Sequence, residues 1–492
     1  MTEYRLYIGG KDVDAASGAT FEALDPTSGK AWARHALGGA EDVDRAVRAA
    51  QQAFESEAWR NLSATRRGRL MMRLADLIAG RAEEIAAVEV RDNGKLYKEM
   101  VAQLGAIPEW LYYFGGLADK VEGRTIPLDR TSVLNYTLRE PLGVVGIIVP
   151  WNSPVLLTMY ALAPALAAGN TIVVKPSEHA AASIVETLKL ADEAGFPPGV
   201  INVVTGAGEA GAALVDHPVV AKIAFTGSET TGKRIAAQAG SRLAQVTMEL
   251  GGKSPNIVFA DAAMDAAEAG ILAGIYAAAG QSCVAGSRAL LQRPVYDELL
   301  ERVTSRAASV VLGDPMAEAT QMGPIANVPQ LQRVEAMVGA AREEGARVVT
   351  GGERAALDDF PDGLFYRPTI LDGVGNDATI SQDEVFGPVL TAIPFETEEE
   401  AVALANATRF GLAAGVWTRD VKRAHRVARG LKAGTVWLNT YRAITYNSPF
   451  GGYKESGFGR VNGAESIDGF LQTKSVWVEL SDEVSDPFVM KI

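Results

Sequence analysis

The 492-residue sequence predicts an α/β protein: a Rossmann-type, doubly wound parallel sheet, a second α/β unit after it, and a small β arm. Three observations carry this reading. Short β-branched runs alternate with Ala-rich helical stretches through the middle third of the chain. Small and polar residues follow each run, where a strand must turn into a crossover. Hydrophobic residues make up 48% of the chain, enough at this length for large cores in two or three domains.

Taken in order, strands are predicted at 144–149, 171–174, 200–204, 222–225 and 245–250, with helices at 155–168, 180–194, 208–216 and 230–239 between them. Five strands joined by four crossovers make a parallel sheet covered on both faces. Ligands bind such a sheet beyond the carboxyl ends of its strands. Five segments stand there: Pro150-Trp151-Asn152, Lys175-Pro176-Ser177-Glu178, Gly206-Ala207-Gly208, Thr226-Gly227-Ser228 and Glu249-Leu250-Gly251-Gly252. They are expected to converge on one rim. The apolar run 155–168 is too short for a bilayer span and contains Pro164, so it reads as a buried helix. Beyond Gly252 the second α/β unit carries Cys283 and the Glu384 loop, which puts the expected site between two domains. Residues 131–139 and 472–480 alternate like exposed strands, with Val476, Val478 and Leu480 on one face, and such an edge invites association.

Composition narrows the function classes. A single cysteine cannot form an internal disulfide, and the N-terminus has neither a secretory nor a transit-peptide pattern, so a cytoplasmic protein without a membrane anchor is expected. A net charge of −13 argues against sequence-blind nucleic-acid binding. Four histidines without an HxxxH pair, and no second cysteine, give no support to a metal site.

Cys283 lies in Gly280-Gln281-Ser282-Cys283-Val284-Ala285-Gly286, where small neighbours let backbone and ligand approach the sulfur. An unpaired cysteine is more often a buried hydrophobe, and that context argues for the reactive alternative. Lys175 and Glu178 offer an ammonium and a carboxylate suited to a nucleotide's phosphate and ribose. The turn from Gly227-Ser228 into Gly232 presents free N–H groups and a helix N-terminus to a pyrophosphate. No GxGxxG follows the first strand, so the ordinary dinucleotide fingerprint is absent.

Seven blocks together resemble the NAD(P)-dependent aldehyde dehydrogenase superfamily, in the order and near the spacings of that family: Pro150-Trp151-Asn152, Lys175-Pro176-Ser177-Glu178, Phe225-Thr226-Gly227-Ser228, Glu249-Leu250-Gly251-Gly252-Lys253, Gly280-Gln281-Ser282-Cys283, Glu384-Val385-Phe386-Gly387-Pro388 and Ser448-Pro449-Phe450-Gly451-Gly452-Tyr453-Lys454. The resemblance implies an aldehyde-dehydrogenase-like fold with an NAD-binding domain at 1–122 and 142–252, a catalytic domain at 253–460, and oligomerisation segments at 123–141 and 461–492 of a homodimer or homotetramer. It also implies a mechanism. Cys283 attacks an aldehyde, Asn152 holds the oxyanion with the Cys283 backbone N–H, and Glu249 activates water to hydrolyse the thioester. For Asn152 the competing reading is a plain helix cap. By the same resemblance Trp151, Lys175, Glu178, Gly208, Gly211, Phe225, Gly227, Ser228, Gly232, Leu250, Glu384 and Phe386 serve the cofactor.

Glu178 should repel a 2′-phosphate, which favours NAD, although Lys175 and Ser177 leave NADP open. Ser153, Leu157, Tyr160, Ser282, Val284, Arg442, Ile444 and Phe450 are expected to line the aldehyde tunnel. Ser153 stands where several relatives carry an aromatic residue. Arg442 at the mouth would attract a carboxylate, as in a semialdehyde, or simply face solvent. Two ionisable residues that some relatives use for proton exit are here Ala161 and Val461. Retention of Glu249 favours hydrolysis over transfer to coenzyme A. A cofactor-free thiol esterase would need neither Glu178 nor Glu384, and a catalytically silent structural protein that kept the fold would need none of Cys283, Glu249 and Asn152.

Overall fold

The computed structural model describes residues 1–484 and 486–488; residues 485 and 489–492, the end of the predicted oligomerisation segment, lie outside the described residues. An eight-stranded sheet runs in the order Gly457–Phe458, Gln245–Glu249, Val220–Thr226, Val144–Val149, Thr171–Pro176, Ile201–Val203, Leu6–Ile8 and Lys11–Val13. Its five central strands are the predicted ones, and they run parallel to one another. The remaining three pair antiparallel at the two edges and convert the expected all-parallel sheet into a mixed one. Strands of two or three residues carry too little periodicity to be read from sequence.

The crossovers have local causes. Pro154 occupies the first turn of Pro154–Ala168, where a missing N–H leaves nothing unsatisfied, and Gly169 closes the helix at φ +99°. Nearly all of this helix is buried, and Pro164 is accommodated without ending it. Ala182–Ala194 ends the same way at Gly195. Glu229–Ser241 begins at Ser228, whose hydroxyl accepts from the Thr231 N–H at 3.3 Å, a cap worth about 1 kcal/mol.

A second, seven-stranded sheet runs Arg347–Thr350, Thr369–Asp372, Val389–Phe395, Arg288–Gln292, Pro255–Val258, Ala413–Trp417 and Thr435–Leu438, parallel except at Arg347–Thr350. The predicted arm is a separate three-stranded sheet. Val133–Pro141 pairs antiparallel with Leu471–Glu479 and with Thr125–Ile126. Alternation leaves Leu134, Leu138 and Val478 exposed on one face, while Trp477 is 64% exposed on the other. No helix among the described residues is long and apolar enough to cross a membrane.

Candidate active site

The thiol loop is bent by three consecutive left-handed residues. After the helix Met264–Tyr276, Ala278, Ala279 and Gly280 take φ of 54°, 52° and 70°. Each such alanine costs on the order of 1 kcal/mol, so the surroundings must hold the bend. A Cβ on Gly280 would collide with the Gly387 carbonyl, so the thiol loop packs backbone to backbone on the Glu384 loop. Gln281 locks the bend from inside. Its Oε1 accepts from the Ala326 N–H at 2.8 Å, and its Nε2 donates to the Ala278 and Pro324 carbonyls at 3.3 Å. This brace was missed at the sequence level, where Gln281 had no role.

The Cys283 sulfur keeps some solvent contact but is enclosed by protein. Burial, then the Glu384 and Glu249 carboxylates, push the thiol up to about 12, with Arg442 opposing. The resting group is therefore the neutral thiol, and its proton must leave as the sulfur reacts.

Glu249 ends the strand Gln245–Glu249, set between Val220–Thr226 and Gly457–Phe458. Neither carboxylate oxygen has a hydrogen-bond partner among the described residues, and burial raises the group well above the ordinary carboxylate range, with Arg460 opposing. Such a carboxyl is a strong base when ionised. Gly451 makes room for it, since a Cβ there would lie 2.8 Å from Glu249 Oε1. Asn152 does not cap the following helix: Ser153 holds that position, and Asn152 Nδ2 donates instead to the Gln281 carbonyl at 3.0 Å. The Asn152 Oδ1 is buried without a partner among the described residues.

Two cavities meet at these three residues. One, of about 460 Å³, is lined by Trp151, Gly227, Ser228, Leu250, Glu384 and Phe386 among others. Glu384 Oε1 accepts from the Gly252 N–H at 2.9 Å, and a side chain on Gly251 would strike its carboxylate. Burial pushes Glu384 up to about 7. Phe386, at φ 57°, stands edge-on to Trp151 with ring centroids 5.4 Å apart. Gln330, Arg333 and Arg409 also line this cavity; they come from distant segments and carried no local signal.

The rim is not as continuous as expected. The exits of Val144–Val149, Val220–Thr226 and Gln245–Glu249, which are adjacent strands, line the cavity, whereas Lys175, Glu178, Gly208 and Gly211 do not. Thr171–Pro176 and Ile201–Val203 lie farther across the sheet, each strand adding about 4.8 Å. Lys175 Nζ and Glu178 Oε2 pair there at 3.5 Å, and Glu178 borders a separate hollow of about 210 Å³. Burial works against the ionised Glu178, but Lys175 outweighs it and holds the carboxyl below its usual value. Phe225 and Gly232 are packing positions: the Phe225 ring lies under Gly227, and Leu250 fills the space above Gly232.

The second cavity, of about 280 Å³, is lined by all eight residues expected of the aldehyde tunnel: Ser153, Leu157, Tyr160, Ser282, Val284, Arg442, Ile444 and Phe450. Trp110 was not foreseen; its ring stacks on Tyr160 at 5.7 Å, and its Nε1 donates to Asn462 Oδ1 at 2.7 Å. Arg442 is half-buried with φ 63°, and its Nη1 donates to the Ala277 and Ala273 carbonyls at 3.1 and 3.4 Å. Ala161 and Val461 are both buried, so apolar packing occupies the positions of the ionisable pair. Asn152, Glu249 and Cys283 line both cavities.

Residues 13–476 match the model of the aldehyde dehydrogenase family. The chain belongs to that family. It is 46% identical over 494 residues, the whole of both chains, to (Z)-2-((N-methylformamido)methylene)-5-hydroxybutyrolactone dehydrogenase of Acinetobacter baylyi. Among solved structures, betaine aldehyde dehydrogenase of Staphylococcus aureus, in complex with NAD+, is similar at a TM-score of 0.97 and 38% identity over the full length of both chains. An NAD+ complex of aldehyde dehydrogenase from Bacillus cereus is similar at a TM-score of 0.95 and 44% identity, covering 97% of each chain.

Proposed function

We propose that this aldehyde dehydrogenase oxidises an aldehyde to the carboxylic acid with NAD, through covalent chemistry at Cys283 and hydrolysis assisted by Glu249. The observation that carries the reading is the position of Cys283, Glu249 and Asn152 on the wall common to both cavities. The residues fit NAD: Ser228 opens a capped helix toward a pyrophosphate, and Glu384, fixed by the Gly252 N–H, offers its carboxylate to a ribose. Bound NAD would supply the hydride acceptor. The Lys175–Glu178 pair, with its ionised carboxylate, favours a free ribose hydroxyl over a 2′-phosphate.

The residues of this chain then divide the work. Cys283 gives its proton to water in the cavity as Sγ bonds to the carbonyl carbon, and the carbonyl π pair moves to the oxygen, which, now negative, takes the free Asn152 N–H. Loss of hydride from that carbon leaves a thioester on Cys283. Glu249 accepts a proton from water as the water oxygen bonds to the acyl carbon; the C–S bond breaks, and acid and thiol are released. The buried, unpaired Glu249 carboxylate supports hydrolysis rather than transfer to another thiol.

We also assign residues 1–122 and 142–252 to cofactor binding, 253–460 to catalysis, and the arm to assembly of a homodimer or homotetramer. The exposed Leu134, Leu138 and Val478 support the last assignment. The test is reduced-nicotinamide formation from a panel of aldehydes, with NAD and NADP in parallel and Cys283→Ala as the blank. Cysteine-dependent reduction supports the reading; thiol-dependent ester hydrolysis without cofactor reduction rejects it.

A further inference from the structure

The aldehyde-side cavity contains a charged residue that no motif announced. Lys95 follows the helix Ala82–Asn93, whose end is set by Gly94 at φ +73°. Its side chain runs inward to the cavity wall, and Nζ donates to Ser153 Oγ at 2.6 Å. Each of the two residues is only 7% exposed. The same turn holds the Trp151-Asn152-Ser153 segment from behind: Asn93 Nδ2 donates to the Trp151 carbonyl at 3.4 Å, and Asn93 Oδ1 accepts from the Lys95 N–H at 3.1 Å. The Lys95–Ser153 pair therefore stands one residue from the amide assigned to the oxyanion.

An ammonium carries three donors, and the hydroxyl takes one. Buried charges are ordinarily offset by an opposing one, and for Lys95 the leading such group is the buried Glu89 carboxyl, followed by Glu99. Arg442 lines the same cavity, with Nη1 donating to the Ala277 and Ala273 carbonyls. Glu249 is the one carboxyl among the described residues lining this cavity. The cavity thus faces a substrate with two cationic side chains and a single carboxyl.

We propose that Lys95, with the Ser153 hydroxyl, forms a carboxylate-binding subsite beside the reacting carbon, so that the preferred substrate is a short aldehyde acid, a semialdehyde. This rests on the aldehyde dehydrogenase reading of the same site and names the substrate class within it. Lys95 supplies the ammonium beside Ser153, and Arg442, of which only Nη1 is held by the Ala273 and Ala277 carbonyls, is a second cation on the same cavity. Ser153 is integral to the subsite, because a bulky side chain there would displace the hydroxyl that orients the ammonium.

The test compares 4-oxobutanoate with butanal in wild type, Lys95→Met and Ser153→Ala, reading the ratio of the two kcat/KM values. The expected result is a ratio at least about tenfold lower in Lys95→Met, arising in KM rather than kcat, with Ser153→Ala moving in the same direction. A ratio that stays at the wild-type value in both variants overturns the proposal, whatever the absolute rates. If Lys95→Met does not fold, Ser153→Ala decides by the same ratio. Calorimetric titration with succinate, which needs no turnover, separates this proposal from the enzymatic reading. Binding to wild type that is lost in the variants supports the subsite even if neither aldehyde is oxidised; no binding to wild type, or equal binding to all three proteins, rejects it.

Discussion

Asn152 Nδ2 donates to the backbone carbonyl of Gln281 at 3.0 Å, joining a strand exit of the first sheet to the thiol loop of the second. One amide hydrogen makes this link, and the other is the donor assigned above to the aldehyde oxygen. Asn152→Ala removes both. It is expected to lower kcat by about 10²–10³-fold, the usual effect of deleting an oxyanion donor, with a smaller change in aldehyde KM. Steady-state kinetics on a fixed aldehyde checks this; an unchanged kcat contradicts the assignment.

Glu249→Gln keeps the side-chain shape and removes the base. Acylation should survive while hydrolysis slows by about 10²-fold or more. Stopped-flow traces should show one enzyme equivalent of reduced nicotinamide followed by a slow phase, and mass spectrometry should find the acyl group on Cys283. A full-rate steady state places the base elsewhere.

Gly280→Ala places a Cβ against the Gly387 carbonyl at a residue held at φ +70°. The strain alone is about 1–3 kcal/mol, and the collision must also push the Glu384 loop away from the thiol. A lower Tm together with a raised KM for NAD is expected. A drop in Tm with normal NAD binding would uncouple the two loops.

Lys95 titrates within an accessible range. Burial lowers it to about 8; Glu89, Glu99 and Cys283 act to raise it, and Arg442 to lower it further. Below that pH the group is the ammonium, and above it the neutral amine. The KM for 4-oxobutanoate should therefore rise as pH passes upward through about 8, relative to that for butanal, and Lys95→Met should flatten the relative profile. A profile that is the same in the variant assigns the titration to another group.

Val478→Asp puts a charge on the exposed face of the arm, opposite Leu134 in the pairing. Sedimentation velocity should show a smaller species than wild type at equal concentration. An unchanged sedimentation coefficient removes the arm from the assembly interface.

Legibility in the sequence followed the length scale of each feature. The five central strands were visible because each is a short, largely β-branched or apolar run beside helical stretches. Cys283, Glu249 and Asn152 were visible because they sit in distinctive short blocks. The edge strands Leu6–Ile8 and Gly457–Phe458 were not, since their pairing partners are supplied by tertiary structure. Lys95 escaped for a similar reason: its meaning lies in a hydroxyl 58 positions away. The separation of Lys175 and Glu178 from the main cavity depends on strand order, which a linear reading of strand ends treats as a single point.

The two-residue strand Gly457–Phe458 bears on biogenesis. It closes the edge beside Gln245–Glu249, pairing Gly457 with Glu249, and the Leu250 N–H bonds to the Ser456 carbonyl at 3.0 Å. During synthesis the first sheet can form long before that strand exists. Until it does, the edge carrying Glu249 has unpaired backbone groups, the kind of surface on which nascent chains aggregate. A ribosome-stalled chain ending before residue 457 would thus hold a nearly complete cofactor-side sheet without a framed base, and competence for turnover would arise only as the end of the chain folds back.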